Sequence, residues 1–372
     1  MTTKSRTSKA DSTKRSRKSP RSSRNMPAAS DPRAKRSDPG RPPSREASPS
    51  PFARRFIRRV QNTVQKFALW RKGDIFIVGV SGGADSLCLL DVLFLLSKKY
   101  DFALHIAHVN YRLRGKASDL DEARVRHAAA RYRLPCAILS QKKRLKSASE
   151  ETLRDIRYAF FEQLRQKTGA DNIAIAHNQD DQAETLLLRL LRGAGLSGLS
   201  AMRPKSGSIV RPLIEMSRAD ILHYLKDRRI AFREDASNAD PRYLRNRVRH
   251  ELIPFLEKSF QPQTRRLLAE TAIILADDYA LLEQHPAPFS AKRTASGTEF
   301  SASALLALPE PLRRRELRAL LRPFLAGKNP GKNLIGELVK SLRSAKSKTQ
   351  TVVFRGLKFV REGDTVRLLK RA

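Results

Sequence analysis

The chain of 372 residues carries 74 lysines and arginines against 37 acidic residues, a formal net charge of +37 that indicates a polyanionic partner, RNA or DNA before a membrane. Its two cysteines, Cys88 and Cys136, form no C-x-x-C motif, which excludes a disulfide framework and a cysteine zinc site and favours a reducing, cytoplasmic compartment. No apolar stretch approaches the roughly 20 residues of a bilayer span, and no secretory signal is recognisable, so we expect no membrane association.

Residues 1–52 are predicted to be a disordered basic tail, because they contain too few large apolar side chains to offset the entropy of ordering. The first 50 residues hold 14 basic and four acidic residues, which leaves a net charge of +27 for the rest of the chain. An RNA-attracting arm, an organellar transit peptide and a solvated extension without a specific role all stay open for this segment. The acidic residues count against the transit peptide.

Residues 53–216 alternate short apolar runs with longer segments of helical periodicity. Strands are predicted at 74–80, 103–110, 135–140, 172–177 and 208–213, with helices between them. This alternation favours an α/β fold, a parallel sheet with helices on both faces. Ligands of such sheets bind at the carboxyl ends of the strands, so the segments that follow the strands are expected to share one rim.

Two further regions complete the predicted organisation. Residues 217–261 read as a helical connector with an arginine-rich motif, and residues 262–372 as a mainly helical, basic region that ends in short strands around a turn at 362–364. The connector places Arg245, Arg247 and Arg249 within one and a half helical turns. Positive charges this close together destabilise a helix unless an anion neutralises them.

The stretch S-G-G-A-D-S follows the first strand and opens a helix. Glycines allow a close backbone approach, the hydroxyls add polar groups, and a helix N-terminus presents free N–H groups to an anion. We therefore predict a phosphate site, although neither a Walker motif nor a dinucleotide fingerprint is present. The alternative is a plain strand-to-helix turn with serine as the cap. The predicted site consists of Ser81, Gly82, Gly83, Ala84, Asp85 and Ser86, with Asp85 as the ligand of Mg²⁺.

Acidic side chains follow the fourth predicted strand. Asp181 and Glu184 are three residues apart, so their carboxylates lie on one helix face and can hold an ammonium group. The alternative is that acids in a first turn only complement the helix dipole. His177 ends the strand beside them, where a substrate contact is plausible.

The S-G-G-x-D-S loop resembles the pyrophosphate loop of the N-type ATP pyrophosphatases, the PP-loop superfamily. The blocks 108–115, 176–202, 209–218 and 234–256 occur in the order found in the tRNA(Ile)-lysidine synthetases, so roughly half of the chain resembles that family. The resemblance implies a Rossmann-like doubly wound sheet with ATP and Mg²⁺ as cofactors. It also implies that free L-lysine is joined to C2 of the wobble cytidine of isoleucine tRNA with anticodon CAU, through an adenylated cytidine, with release of AMP and diphosphate.

The resemblance also assigns roles to individual residues. It favours lysine recognition by Asp181 and Glu184, with His177 nearby. Nucleotide or tRNA contacts are implied for Arg157 beside Tyr158, and for Arg112, Arg114, Arg245, Asn246 and Arg249. Solvated charge is the competing interpretation for these arginines.

Three other functions stay open at this point. A tRNA 2-thiolase of the same superfamily would need activated cysteines or an iron–sulfur site, whereas Cys88 and Cys136 read as packing residues. An RNA-binding protein with a vestigial nucleotide fold is disfavoured by the intact loop, and a small-molecule amidotransferase by the charge of +37. The oligomeric state is left open, with a homodimer as one alternative.

Overall fold

The computed structural model describes residues 49–141, 149–233, 242–284, 288–325, 330–344, 348–354 and 356–370, and nearly all of the predicted tail lies outside them. The helices up to the connector are α1 Pro51–Lys66, α2 Ala84–Tyr100, α3 Lys116–Tyr132, α4 Glu150–Thr168, α5 Gln179–Leu191, α6 Leu196–Leu199 and α7 Arg218–Asp227. The strands among them are β1 Ile75–Gly79, β2 Ala103–Asn110, β3 Cys136–Ser140, β4 Asn172–Ala174, β5 Lys205–Ser206 and β6 Ile209–Val210.

These six strands form one sheet in the order β3-β2-β1-β4-β6-β5. The first five strands in this order pair in parallel, and only β5 runs antiparallel to its neighbour β6. The order reverses direction between β1 and β4, since β2 and β3 lie to one side of β1 and the later strands to the other. In open parallel sheets such a reversal opens a crevice at the carboxyl ends of the strands.

Alternate residues of β1 face opposite sides of the sheet, as the strand period of two requires. Phe76 and Val78 point into the core that α1, α2, α3 and α7 cover. Ile77 points the other way, into a second apolar cluster that includes Phe161 of α4. Helices therefore cover both faces, and the predicted α/β fold is confirmed.

A buried carboxylate ties α2, α3 and α7 together beneath this core. Asp91 accepts hydrogen bonds from the Tyr132 hydroxyl at 2.8 Å and the Tyr224 hydroxyl at 2.6 Å. Arg228 Nε donates to the same carboxylate at 3.0 Å. Burial and the negative charge of Asp91 raise the pKa of both tyrosines, so they stay protonated as donors. The network fixes α7 against α2, the helix that carries the glycine turn.

Replacing Arg228 by methionine should lower the free energy of unfolding by about 3–5 kcal/mol, because it leaves a buried charge without its cation. The Asp91 side chain is completely buried and that of Arg228 is 11% exposed. Arg229→Met, at an exposed neighbour, should change the free energy by less than about 0.5 kcal/mol. Urea denaturation followed by circular dichroism measures both, and equal stability of the two variants would contradict this account of the network.

The connector continues as α8 Leu244–Arg247, a π-helical stretch Val248–Leu252 and α9 Ile253–Ser259. It leads into α10 Thr264–Gln284, which packs along α5. Ala183 and Leu187 of α5 meet Val248 and Ile253 of the connector in a small apolar cluster. This contact brings the arginine-rich motif onto the helix that carries Asp181 and Glu184.

The remaining chain builds a second apolar core. It contains α11 Ala302–Ala307, α12 Glu310–Leu321, a 3₁₀ turn Arg322–Leu325 and α13 Lys332–Arg343. The strands β7 Lys292–Thr294, β8 Gly297–Ser301, β9 Gln350–Phe354, β10 Leu357–Glu362 and β11 Thr365–Lys370 form an antiparallel sheet in the order β7-β8-β11-β10-β9. The predicted turn at 362–364 joins β10 to β11. Within the described part of the chain, no helix has the length and apolar character needed to cross a bilayer.

Candidate active site

Serine hydroxyls and a glycine with positive φ shape the turn between β1 and α2. The Ser86 hydroxyl accepts a hydrogen bond from the Ser81 amide at 3.1 Å and donates to the Gly83 carbonyl at 2.9 Å. Gly82 has a φ of +88°, and a Cβ atom there would lie 3.3 Å from the backbone oxygen of Asp121. Both its conformation and the crowding favour glycine at this position.

The first turn of α2 is open to a ligand. Its N-cap is Gly83, and no side chain among the described residues caps the helix, so the first N–H groups have no capping partner there. The partial positive charge of a helix N-terminus adds to their attraction for an anion. Of the predicted loop residues, Ala84, Asp85 and Ser86 lie in this first turn, and Ser81, Gly82 and Gly83 lie directly before it. Their arrangement therefore fits a phosphate group that approaches the backbone closely.

Asp85 connects this loop to two other elements. Its Oδ1 accepts a hydrogen bond from Asn178 Nδ2 at 3.0 Å, and its Oδ2 lies 2.5 Å from Arg218 Nη1. Burial raises the pKa of the Asp85 carboxyl, and the Arg218 guanidinium only partly opposes that shift. The described residues include no cluster of three potential metal ligands. Asp85 therefore fits Mg²⁺ only if phosphate oxygens supply further ligands, which is the usual arrangement for this ion.

Asn178 caps α5 and faces the loop at the same time. Its side chain accepts a hydrogen bond from the Asp181 amide at 3.0 Å, while the Asp181 carboxylate accepts one from the Asn178 amide at 3.1 Å. This capping box fixes the start of the helix and the direction of Asp181. The phosphate loop and the acidic face of α5 are thus joined by one side chain, Asn178.

The acidic face of α5 meets the arginine-rich motif. Asp181 Oδ1 lies 2.9 Å from Arg245 Nη2 and 3.3 Å from Arg249 Nη2. Glu184, whose side chain is fully buried, accepts from Arg245 Nε at 2.9 Å and from Arg249 Nε at 2.5 Å. The structure therefore brings together the two predicted lysine ligands and two of the predicted nucleotide or tRNA contacts, as one network of two carboxylates and two guanidinium groups.

His177 lies in the loop between β4 and α5, immediately before Asn178, because β4 ends at Ala174 and not at the predicted residue 177. Its Nδ1 lies 3.0 Å from Arg211 Nε, and the Arg211 side chain is buried. Burial, followed by the charges of the surrounding arginines, lowers the pKa of His177 well below its ordinary value. The imidazole is therefore neutral at physiological pH.

Four residues of the site were not predicted from the sequence: Arg211, Arg218, Asn178 and Asp180. Asp180 accepts a hydrogen bond from the Arg218 amide at 2.8 Å. It also forms an ion pair with Arg265 of α10, whose Nη1 lies 2.5 Å from Oδ1 of Asp180. The available signals were the Asn-x-x-Asp capping pattern at 178–181 and Ser217, which caps α7 directly before Arg218. The pairings themselves join residues far apart in the chain.

The other predicted contact residues lie at the edges of this site. Arg112 is exposed, and Arg114 forms an ion pair with Asp121 at 2.8 Å. Arg157 is half-buried, with its guanidinium carbon 5.8 Å from the Tyr158 ring centroid. Asn246 is half-buried on α8 between the two arginines that reach α5. The structure does not assign these residues a ligand, and their roles stay predictions.

Glu122 of α3 joins the last residues of β2 and β3, Asn110 and Ser140, and gives a pH-dependent prediction. Burial raises the pKa of this carboxyl, but hydrogen bonds from Asn110, Arg126 and Ser140 outweigh burial and lower the pKa to about 2. A depressed folded-state pKa stabilises the fold above the ordinary value of 4.5, and that contribution is lost as the pH falls toward 2. Glu122→Gln should therefore be less stable than the wild type at about pH 6. The difference in denaturation midpoint should shrink below the ordinary carboxyl pKa, and a constant difference would contradict the assignment.

Comparison with known proteins identifies a family for this chain. The chain matches the family model of the PP-loop domain over residues 52–256. Proteins named tRNA(Ile)-lysidine synthase are similar in sequence. The one from Geobacter sulfurreducens is 45% identical over 237 residues, which cover 61% of this chain and 50% of that protein. The one from Bacillus subtilis is 34% identical over 280 residues, which cover 71% and 58%.

A third relative of that name, from Caldanaerobacter subterraneus subsp. tengcongensis, is 38% identical over 232 residues, 61% of this chain and 50% of that protein. The chain thus spans about half the length of the first relatives it matches.

Among solved structures, the U34-tRNA thiolase NcsA from Methanococcus maripaludis, with its [4Fe-4S] cluster, has a similar fold. The TM-score is 0.50 at 19% sequence identity, over 61% of this chain and 79% of that one. At this identity the similarity concerns the fold alone. The family match, in contrast, spans more than half of the chain and includes the loop, the carboxylates of α5 and the arginine-rich motif. The chain belongs to the PP-loop family.

Proposed function

We propose that this protein is an ATP-dependent ligase that joins free L-lysine to C2 of the wobble cytidine in isoleucine tRNA with anticodon CAU. One observation carries the proposal: the acidic pair Asp181 and Glu184 is linked to the phosphate loop through Asn178 and Asp85. A site for an amino-acid ammonium group therefore adjoins a site for a nucleotide phosphate. The relatives named tRNA(Ile)-lysidine synthase support this proposal.

The first step requires a phosphate site that stabilises developing negative charge. ATP would lie on the loop Ser81–Ser86, where the free N–H groups of α2 meet its phosphates. The cytidine O2 attacks the α-phosphorus, the bond to the bridging oxygen breaks, and diphosphate leaves. Positioned N–H donors of this kind act mainly through orientation and electrostatics. Asp85, together with phosphate oxygens, would hold Mg²⁺, which supplies further charge neutralisation.

The second step requires carboxylates that compensate the positive charge of the bound lysine. Asp181 and Glu184 supply two carboxylates on one face of α5, and both are already arranged by Arg245 and Arg249. A lysine ammonium group would share or replace these guanidinium partners. The lysine ε-amine attacks C2 of the adenylated base and AMP leaves. The amine starts near a pKa of about 10.4, so it must lose a proton before the attack.

The partner implied by the charge is the tRNA. A net charge of +37 favours a nucleic-acid backbone, and binding of this kind weakens steeply with added salt. The target base must leave its stack to reach a buried site, which suits a single-stranded anticodon loop. Because Cys88 and Cys136 are both free thiols, we place the reaction in the reducing cytoplasm. The oligomeric state stays open.

The residues give no support to a thiolase. Burial raises the pKa of the Cys88 thiol well above its ordinary value, and burial also raises that of Cys136. A reactive thiol needs the opposite shift. The two cysteines also lie on different elements, the helix α2 and the strand β3.

The deciding experiment measures diphosphate release from ATP with bulk bacterial tRNA, with and without free L-lysine, and then weighs the tRNA nucleosides by mass spectrometry. The expected product is a cytidine heavier by one lysine less one water. Diphosphate release with no such nucleoside, or a nucleoside that has gained sulfur, would overturn the lysine assignment while leaving the phosphate loop in place.

A further inference from the structure

Arg211 holds the imidazole of His177 by a hydrogen bond of fixed direction. It follows β6, its side chain is buried, and its Nη1 donates to the Arg203 carbonyl at 2.7 Å. Its Nε donates to His177 Nδ1 at 3.0 Å. A guanidinium group has N–H donors and no acceptor, so Nδ1 must receive this bond on its lone pair. The ring proton of His177 then resides on Nε2.

The charges around the ring favour the same state. After burial, the positive charges that lower the pKa of His177 belong to four guanidinium groups: Arg211 after β6, Arg245 of α8, and Arg154 and Arg157 of α4. The acids of α5, Asp181 and Glu184, pair with the arginines of the connector. Burial and these cations together keep the pKa of His177 well below the range in which an imidazole ordinarily gains its second proton.

The other side of the ring carries the proton. Among the described residues, the hydrogen-bond partner of the His177 ring is Arg211, at Nδ1, which leaves Nε2 without one there, and the residue is half-buried. His177 directly precedes Asn178, the side chain that joins the phosphate loop to the acidic face of α5. An N–H donor thus belongs to the residue next to the side chain that joins the two proposed subsites.

We propose that Arg211 is a positioning residue that fixes His177 as a neutral Nε2–H tautomer, so that His177 acts as a hydrogen-bond donor toward the substrate and not as a base. The reaction part of this inference rests on the proposed function. The acceptors offered by that chemistry are the α-phosphate oxygens and the O2 atom of the cytidine. His177 therefore does not take the proton of the lysine amine.

The tautomer can be observed directly by NMR on the whole protein with ¹⁵N-labelled histidine. The chain has seven histidines, and the signals absent from a His177→Gln variant identify this one. We expect a bare Nδ1 and a protonated Nε2, without change between about pH 5 and 8, where an ordinary histidine alters its charge. A ring protonated on Nδ1, or one that becomes cationic in this range, would overturn the inference whatever reaction the enzyme catalyses.

Two variants test the part played by Arg211. Arg211→Lys keeps a side chain that can only donate, so the tautomer should persist. Arg211→Gln can donate or accept, and it removes one of the four nearby cations. The His177 signals should then show both tautomers or a titration. If the His177 signals of Arg211→Gln match those of the wild type, Arg211 does not fix the tautomer. If this variant does not fold, the wild-type spectrum alone still tests the tautomer.

Kinetics separate the donor from a base. The glutamine amide of His177→Gln places an N–H group where Nε2 lies, whereas His177→Asn reaches only the position of Nδ1. We expect kcat of the asparagine variant to fall about 100-fold further than that of the glutamine variant, the usual cost of a lost donor. Equal losses, or an acidic limb in the pH profile that vanishes with His177, would contradict the donor role. A failure of the lysine assignment would instead appear in the product, not in these ratios.

Discussion

Asp85→Asn should lower the rate of diphosphate release by about 100- to 1,000-fold, the range seen when one charge-stabilising group is removed from an active site. Asparagine keeps the shape of the side chain and its contact with Asn178, which lies 3.0 Å away. It removes the negative charge that faces Arg218 and that we assign to Mg²⁺. The tRNA should still bind, because the substitution removes none of the basic residues that give the chain its net charge of +37.

The control is Asp119→Asn, which changes a comparable residue outside the site. Asp119 also lies in the first turn of a helix, α3, and also accepts a hydrogen bond from an asparagine side chain, Asn110 Nδ2 at 3.2 Å. The activity of Asp119→Asn should match that of the wild type. Diphosphate release and its dependence on Mg²⁺ concentration are measured for both variants. If Asp85→Asn keeps the wild-type rate and the wild-type Mg²⁺ requirement, the metal assignment is wrong.

The sheet and the loop could be predicted because their signals are local. The apolar runs at 74–80 and 103–110 became β1 and β2 almost residue for residue. The run at 172–177 ended sooner, as β4 Asn172–Ala174, because the chain must turn toward the capping residue Asn178. The two-residue strand β5 went unpredicted, since two residues carry no periodicity.

The partners of the charged residues could not be predicted in the same way. The close spacing of Arg245 and Arg249 predicts an anion nearby, and we expected a ligand to supply it. The structure places Asp181 and Glu184 of the protein itself against them. These salt bridges join residues more than 60 positions apart in the sequence, so they depend on how α5 packs against the connector. No local sequence pattern predicts that packing. Contacts of the arginines with nucleotide or tRNA stay a prediction.

This pairing gives the acidic pair two possible roles, and Glu184→Gln separates them. If Glu184 binds lysine, the variant loses a charge-assisted hydrogen bond worth about 1.5–3 kcal/mol, so the KM for lysine should rise about 10- to 100-fold. If Glu184 only orients Arg245 and Arg249, the nucleotide step should suffer instead. The formation of adenylated tRNA needs no lysine, so exchange of labelled diphosphate into ATP reports on that first step alone.

We expect Glu184→Gln to keep most of the exchange activity and to require far more lysine for ligation. The matched control is Glu150→Gln, because Glu150 lies 3.8 Å from the same Arg245 but is 79% exposed, where an ion pair contributes little. Glu150→Gln should change neither measurement. Since Glu184 is fully buried, the denaturation midpoint of each variant is determined as well, so that a folding defect is not taken for a binding defect. Loss of exchange with an unchanged KM for lysine would assign Glu184 to the arginines and remove it from lysine recognition.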